Sequence, residues 1–339
     1  MSVLACRALV RGGPLDMPTV SRKAHRAPTP TSGGVGIALG FAAGLLGLAL
    51  VSGAWRHQIT ADAAQALSTG AAFAYGFLVL GFIDDANPLG PRLKFAIFTS
   101  LSFFAALALG VVLALPFGDG AVLKLGWQVG LIGTALWLFT ITNAVNFMDG
   151  ANGLSMGSVA VGLVALAAIA LGGEISGGGA MAACGAGALA GFLIWNYPRG
   201  LLFAGDSGAL FAGALAGITS ILLIRKIGLS PFIPPVIFFP LLADVLLTLA
   251  WRAARRRSLL DGHAEHIYQI AIRAGWSHAR ISLCYWLAMA VCGAIGYVAA
   301  QHQDTPAPWL ALTGLAAASL VISYLVRREA MKRAIAETP

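Results

Sequence analysis

Three short segments of this sequence pair carboxylates with glycine or asparagine at the edge of an apolar run. They are Gly81-Phe-Ile-Asp84-Asp85, Asn143-Ala-Val-Asn146-Phe-Met-Asp149-Gly150 and Gly205-Asp206-Ser207-Gly208. Adjacent carboxylates repel, so each raises the other's pKa unless a cation lies beside them. A hard divalent cation with oxygen ligands suits such a set. Mg²⁺ in particular binds one or two carboxylates together with substrate phosphates and keeps its remaining waters. Asn143, Asn146 and Asp149 recur at i, i+3 and i+6, so one helical face presents two amides and a carboxylate. Amides orient phosphate or sugar oxygens, and flanking glycines let a ligand approach the backbone.

The basic residues supply the other half of the chemistry. Arg22, Lys23 and His25 precede Pro28, Pro30 and Gly33-Gly34, and a second group runs from Arg252 to Arg257 into His263-Ala-Glu265-His266-Ile-Tyr268-Gln269. Cations beside an apolar slab suit a lipid phosphate, and the same charge would steer a nucleotide diphosphate. Each feature also has a plain structural reading. A single Asp at a membrane helix end is a solvated cap, an Arg run is an anchor on the basic side, and a loop histidine is a surface residue. Three acidic clusters converging on one face, with amides and glycines, weigh against the plain reading.

The elements that must position these residues follow from composition. The chain has 339 residues, 58% hydrophobic and 11% charged, with a mean hydropathy of +0.81. A soluble protein carries about a quarter charged residues, so an ordinary cytosolic enzyme, a coiled coil and a disordered chain are excluded. Crossing the hydrocarbon takes about 20 apolar residues. Runs at about 34–54, 66–83, 94–115, 127–145, 153–171, 179–196, 207–224, 232–251, 281–300 and 309–326 predict an all-α, polytopic integral membrane bundle of about ten helices. They lack the alternation of a barrel. With the amino terminus inside, only Arg56, Lys124, Arg225 and Lys226 of the 22 Lys and Arg fall outside, leaving eighteen inside. The positive-inside bias therefore puts both termini in the cytoplasm. It also accounts for the net charge of +8 without nucleic acid. Nine of the fourteen carboxylates then lie inside, and Asp244 alone falls within a span. Residues 1–339 read as one catalytic domain, with a cytoplasmic segment at 1–33 and a cytoplasmic His/Arg loop at 252–280. Gly36/Gly40/Gly44, Gly187/Gly191 and Gly213/Gly217 have the spacing of helix-packing seams. The four cysteines have no metal spacing.

Taken in order, Arg22-Lys23-x-His25…Pro30-x-x-Gly33-Gly34, Asp84-Asp85, Asn143-x-x-Asn146-x-x-Asp149-Gly-x-x-Gly153-Leu154, Gly205-Asp206-x-Gly208 and the His loop resemble the polyprenyl-phosphate N-acetylhexosamine-1-phosphate transferases, from Asp16 to about Leu283. His263-x-x-His266-x-Tyr268-Gln269 with Gly275-Trp-Ser-His278 looks most like the branch that initiates lipopolysaccharide O-antigen. It lacks the consecutive histidines of the phospho-MurNAc-pentapeptide translocase. Three positions depart from the pattern: Pro88 stands for a frequent third Asp, Asn152 for Asp and Ala209 for Ser.

The resemblance implies transfer of a sugar-1-phosphate from a UDP-N-acetylhexosamine to undecaprenyl phosphate, with release of UMP at the cytoplasmic face of a bacterial inner membrane. It implies Mg²⁺, allows Mn²⁺ in its place and is compatible with a homodimer in the bilayer. By the same likeness Asp206 and Asp149 hold metal, Asp149 also stands with Asp84 and Asp85 among the catalytic residues, and Asp84 or Asp85 is a base or a covalent nucleophile. Arg22, Lys23, His25, Asn143, Asn146, His263 and His266 bind substrate. Asp244 matches an Asp of the family but fits a structural pairing as well, and stays outside the site. Members usually carry one more helix ahead of the Asp16 segment. The expectation is that the natural start lies upstream of Met1, or that the protein tolerates the loss. The competing class is a transporter or flippase, which would place its ionisable groups near the midplane. A non-catalytic scaffold would have lost the motif acids.

Overall fold

The computed structural model describes residues 1–12, 15–16, 29–54, 60–171, 177–258 and 264–332. The helices are α1 Ser2–Gly12, α2 Gly33–Ala54, α3 Ala61–Ala86, α4 Pro91–Leu109, α5 Trp127–Phe147, α6 Leu154–Ala170, α7 Gly177–Asn196, α8 Gly205–Ile227, α9 Ile233–Ile237, α10 Phe239–Ala254, α11 Ile267–Arg273, α12 His278–Gln301 and α13 Ala307–Lys332. Two short antiparallel ribbons complete the described residues: β1 Leu15–Asp16 with β2 Thr29–Pro30, and β3 Ala114–Gly118 with β4 Ala121–Lys124. Among the described residues eight helices are long and apolar enough to cross a membrane. The fold is therefore that of a polytopic helical membrane protein, and each of the ten apolar runs contains a helix.

Two runs are shaped differently from the sequence expectation. The run at 94–115 ends as a helix at Leu109, because Gly110 adopts φ +104° and the chain turns into the β3–β4 hairpin. The run at 232–251 is split. Pro234, Pro235 and Pro240 cannot donate to a continuous ladder, so α9 stops at Ile237 and α10 restarts at Phe239.

At the centre stands α8, 94% buried along its apolar window, with α2, α3, α5, α6 and α7 around it. Its small residues permit this. Gly213 lies against Thr142, and Gly217 against Leu138 and Ile141 of α5. The expected seam on α2 also forms, with Gly36 facing Cys6, Gly40 facing Ser2 and Gly44 facing Cys184. Gly191 faces Ser2 as well, whereas Gly187 faces open space. Residues 2–12, within the segment expected to be cytoplasmic, form α1 and pack on α2 and α7. Ser2 Oγ donates to Ala188 O at 2.9 Å, and Trp195 Nε1 donates to Val3 O at 3.0 Å. The eleven residues of α1 span about 16 Å.

The up-and-down course of the helices sorts their ends. The loops at 110–126, 228–232 and 302–306 meet at one end, where Asp119 N donates to Asp304 O, Ser230 N to Gln303 Oε1 and Trp309 Nε1 to Phe117 O. All three acidic motifs lie at the opposite end.

Candidate active site

The site is organised by the amino-terminal turn of α8. Residues 30–34 run beside 203–204, with Phe203 N donating to Pro30 O, Gly33 N to Phe203 O and Gly34 N to Ala204 O at 2.8–2.9 Å. Gly34 and Gly81 flank this turn so closely that a Cβ on either would enter the backbone of residues 206–208. No residue with a side chain fits there. The glycines thus have a packing cause: Gly34 lets α2, and Gly81 lets α3, approach the turn that carries Asp206.

Asp85, at the end of α3, receives Asp206 N at 2.8 Å and Ser207 N at 3.0 Å. It caps α8 from another helix, where a carboxylate meets both free amide groups and the positive end of the helix dipole. Its neighbour Asp84 accepts Leu89 N at 2.7 Å and the Lys94 ammonium at 2.6 Å. Lys94 also pairs with Asp206, so one cation joins the end of α3 to the start of α8. Asn146 Nδ2 lies 3.4 Å from Asp206 Oδ1. Asp149 follows α5 and accepts a hydrogen bond from Ser155 Oγ. Burial pushes its carboxyl up to about 7, with the charges of Asp206 and Asp85 adding to the rise and Ser155 opposing it.

Four expected site residues, Arg22, Lys23, His25 and His263, lie outside the described residues. Asp84, Asp85, Asn146, Asp149 and Asp206 come together. Asn143 turns its amide nitrogen to Phe139 O of its own helix at 2.9 Å rather than to the acids. His266 is 2% exposed at the start of α11, its ring 6.0 Å from those of Phe147 and Tyr268 and its Nδ1 3.4 Å from Asp244 Oδ1. Tyr268 Oη donates to Phe147 O at 3.1 Å, which joins the His loop to the Asp149 turn. Burial, then the charges of Asp244 and Asp149, hold the Tyr268 hydroxyl in its protonated form.

Asp244 is the anchor of that loop. Its carboxylate accepts Ile267 N at 2.8 Å, Tyr268 N at 3.2 Å, Tyr285 Oη at 2.5 Å and Thr248 Oγ1 at 3.3 Å. Of the two readings, the structure shows the pairing within the bundle. Asn152 is likewise structural: its side chain donates to Pro198 O at 3.1 Å and its carbonyl accepts from Ser282 Oγ at 2.7 Å.

Lys94 was read from sequence only as a basic charge on the inner side. Its signal was the tight turn Asn87-Pro88-Leu89-Gly90 between two helices, which folds residue 94 back beside residue 84. Asn196, also missed, receives Gly153 N at 2.5 Å and donates to Leu202 O at 2.8 Å, pinning the Asp149 turn to the approach to α8.

Whether these residues suit a divalent ion can be judged from their charge. Asp84 and Asp206 already share a cation, and burial first, then the charges of Asp206 and Asp85, raise the Asp149 carboxyl. Among the described residues no three His, Cys, Asp or Glu form a ready-made metal cage. Mg²⁺ does not require one, since waters and substrate phosphates complete its shell. The residues fit the ion.

An acidic, glycine-lined cluster at one end of a multi-pass bundle defines a membrane protein whose chemistry lies at the bilayer surface. The model of the family described as Glycosyl transferase family 4 matches residues 67–224, which contain Asp84, Asp85, Asn146, Asp149 and Asp206. The chain is 29% identical to a probable undecaprenyl-phosphate N-acetylglucosaminyl 1-phosphate transferase of Bacillus subtilis, over 90% of this chain and 82% of the relative. It is 32% identical to a phospho-N-acetylmuramoyl-pentapeptide-transferase of Desulforudis audaxviator, over 83% of this chain and 87% of the relative. It is 27% identical to a decaprenyl-phosphate N-acetylglucosaminephosphotransferase of Mycobacterium tuberculosis, over 90% and 81%. The chain belongs to glycosyl transferase family 4, the polyprenyl-phosphate sugar-1-phosphate transferases.

Proposed function

We propose that this protein transfers N-acetylhexosamine-1-phosphate from a UDP-sugar to undecaprenyl phosphate at the cytoplasmic face of a bacterial inner membrane, the first step of a cell-surface polysaccharide. The observation that carries the reading is the joining of Asp84 and Asp206 through Lys94 at the amino-terminal turn of α8, with Asp149 beside them. Both reactants are phosphates, and a site for them needs fixed cations and polar groups at a helix start rather than an apolar pocket.

In the proposed reaction an oxygen of the lipid phosphate forms a bond to the sugar-bearing phosphorus of the donor. The bond from that phosphorus to the bridging oxygen breaks, and UMP leaves with the electron pair. Asp206 and Asp149 would hold Mg²⁺, which when bound neutralises charge on the phosphate oxygens. Asp84 or Asp85 serves either as base toward the lipid phosphate or as a nucleophile through an acyl phosphate, and both routes need an ionised carboxylate. Asp85 also fixes the position of Asp206 through the two backbone hydrogen bonds it accepts. Asn146 holds the orientation of the Asp206 carboxylate. His266, set between two aromatic rings beside the Asp149 turn, offers an imidazole to a donor phosphate.

The single His263-x-x-His266 pattern favours the lipopolysaccharide-initiating branch over the peptidoglycan branch. The test is a panel of UDP-N-acetylglucosamine, UDP-N-acetylgalactosamine and UDP-MurNAc-pentapeptide. Each is offered with undecaprenyl phosphate and Mg²⁺, and nucleotide release is followed by mass spectrometry. UMP from an N-acetylhexosamine donor supports the reading. UDP as product sinks it, and UMP from the pentapeptide donor alone moves the protein to the other branch.

A further inference from the structure

Arg327 lies far from the motif acids in sequence, on the last helix, and positive-inside anchoring explains its presence but not its surroundings. Only 6% of the apolar window of α13 is buried. Its buried residues near the carboxyl end, Ser323, Arg327 and Ala330, form one stripe, and Arg327 is 5% exposed. A cation meant only as an anchor reaches into water. Burying a guanidinium is costly unless its donors are satisfied, and here they are. Nη1 donates to Glu265 O at 3.1 Å, Nη2 to Thr248 Oγ1 at 2.7 Å and Nε to Ser323 Oγ at 3.4 Å, with the guanidinium 4.7 Å from the Trp251 ring centre.

Two of these acceptors lead to the His loop. Glu265 O is the carbonyl immediately before His266. Thr248 Oγ1 in turn donates to Asp244, whose carboxylate takes the first two amides of the turn after His266. The Glu265 side chain is occupied elsewhere, by Arg252 and Arg257. Below the guanidinium, Ile270 of α11 packs with Ala330 and Val326 of α13. The last helix therefore holds the carbonyl before His266, while Asp244 holds the two amides after it.

We propose that Arg327 is a positioning residue that sets the height of His266 over the Asp149 turn and so governs binding of the donor nucleotide sugar. This assignment rests on the transferase reading for its kinetic consequence, but not for its structural one. A guanidinium is suited to the task because its planar fork holds Glu265 O, Thr248 Oγ1 and Ser323 Oγ in a fixed relative geometry, which a compact ammonium does not impose.

The experiment compares Arg327→Met, Arg327→Lys and the wild type, as full chains in lipid nanodiscs. In Arg327→Met the KM for UDP-N-acetylglucosamine should rise by about tenfold, the loss of one charge-assisted contact. The KM for undecaprenyl phosphate should stay within about twofold, with Arg327→Lys intermediate. Amide exchange at Ile267 and Tyr268 should quicken while exchange in α8 is unchanged. A folded Arg327→Met with wild-type donor KM and wild-type exchange at 267–268 overturns the proposal. A general loss that affects donor, acceptor and α8 alike overturns it too. Should Arg327→Met fail to fold, Thr248→Val removes the Nη2 acceptor at nearly constant volume, and the same readouts decide. If the wild type releases no UMP, the transferase reading fails, and the exchange data alone decide whether Arg327 holds the loop.

Discussion

Replacing Lys94 by Met is the sharpest test of the proposed charge arrangement. The ammonium is the cation between Asp84 and Asp206, 2.6 Å from the former and paired directly with the latter. A hydrogen bond to a charged group contributes about 1.5–3 kcal/mol. The side chains are 26%, 12% and 34% exposed, so solvent screening reduces the two contacts to roughly 2–3 kcal/mol together. The substitution also leaves two carboxylates facing each other with no cation. In detergent with a chelator, Lys94→Met should therefore unfold at a clearly lower temperature than wild type, and Lys94→Arg should recover most of the loss. Mg²⁺ should stabilise Lys94→Met more than wild type, because a ligand that binds the folded state stabilises it in proportion to occupancy. Without Lys94 the two acids are open to it. Thermal unfolding followed by tryptophan fluorescence, with and without Mg²⁺, measures both effects. Equal midpoints for wild type and Lys94→Met in chelator would refute the claim that Lys94 balances these acids.

Asp206→Asn, Asp149→Asn and Asp85→Asn should each lower turnover by about 10² or more at saturating Mg²⁺, since a neutral amide keeps the shape but not the charge; UMP release at unchanged expression checks this. Gly34→Ala should lower stability by roughly 1–3 kcal/mol, because its Cβ would enter the Gly208 backbone and Ser207 Oγ; yield of folded protein and melting temperature report it, and Gly187→Ala, facing open space, serves as the control. Glu265 gives an acid-side signature. Burial raises its pKa, but Arg252 and Arg257 more than offset this and hold it below the usual value. Its contribution to stability is thus present above the ordinary glutamate range and lost as pH falls through the lower folded-state value. Glu265→Gln should flatten the fall in melting temperature on that side while leaving the neutral range with a constant offset.

The placement of helices was legible because membrane insertion reads local composition. Length and hydropathy of each run suffice, and the ten runs each hold a helix. The acids at 84–85, 149 and 206 were legible as candidates because three such clusters, with glycine or asparagine beside them, fall at ends of apolar runs on one side, which a single solvated cap does not explain. Prolines 234, 235 and 240 and Gly110 also stand in the sequence, and they break runs that hydropathy alone leaves continuous.

What the chain alone could not specify is which side chains meet. Asp84 and Asp85 are neighbours, but one pairs with Lys94 and the other caps α8, because the end of α3 meets the start of α8 at a fixed rotation. The same rotation sets Asn146 toward Asp206 while the Asn143 amide turns to its own helix. Asp244 stands out as the one acid within a span and Arg327 looks like an ordinary anchor, yet only the folding of 264–273 between α10 and α13 brings both onto the backbone around His266. The contacts between different helices join residues 10 to 122 positions apart. Their energies depend on the order and angular setting of packed helices, which apolar helices facing lipid on one side and each other on the other do not encode in any local pattern.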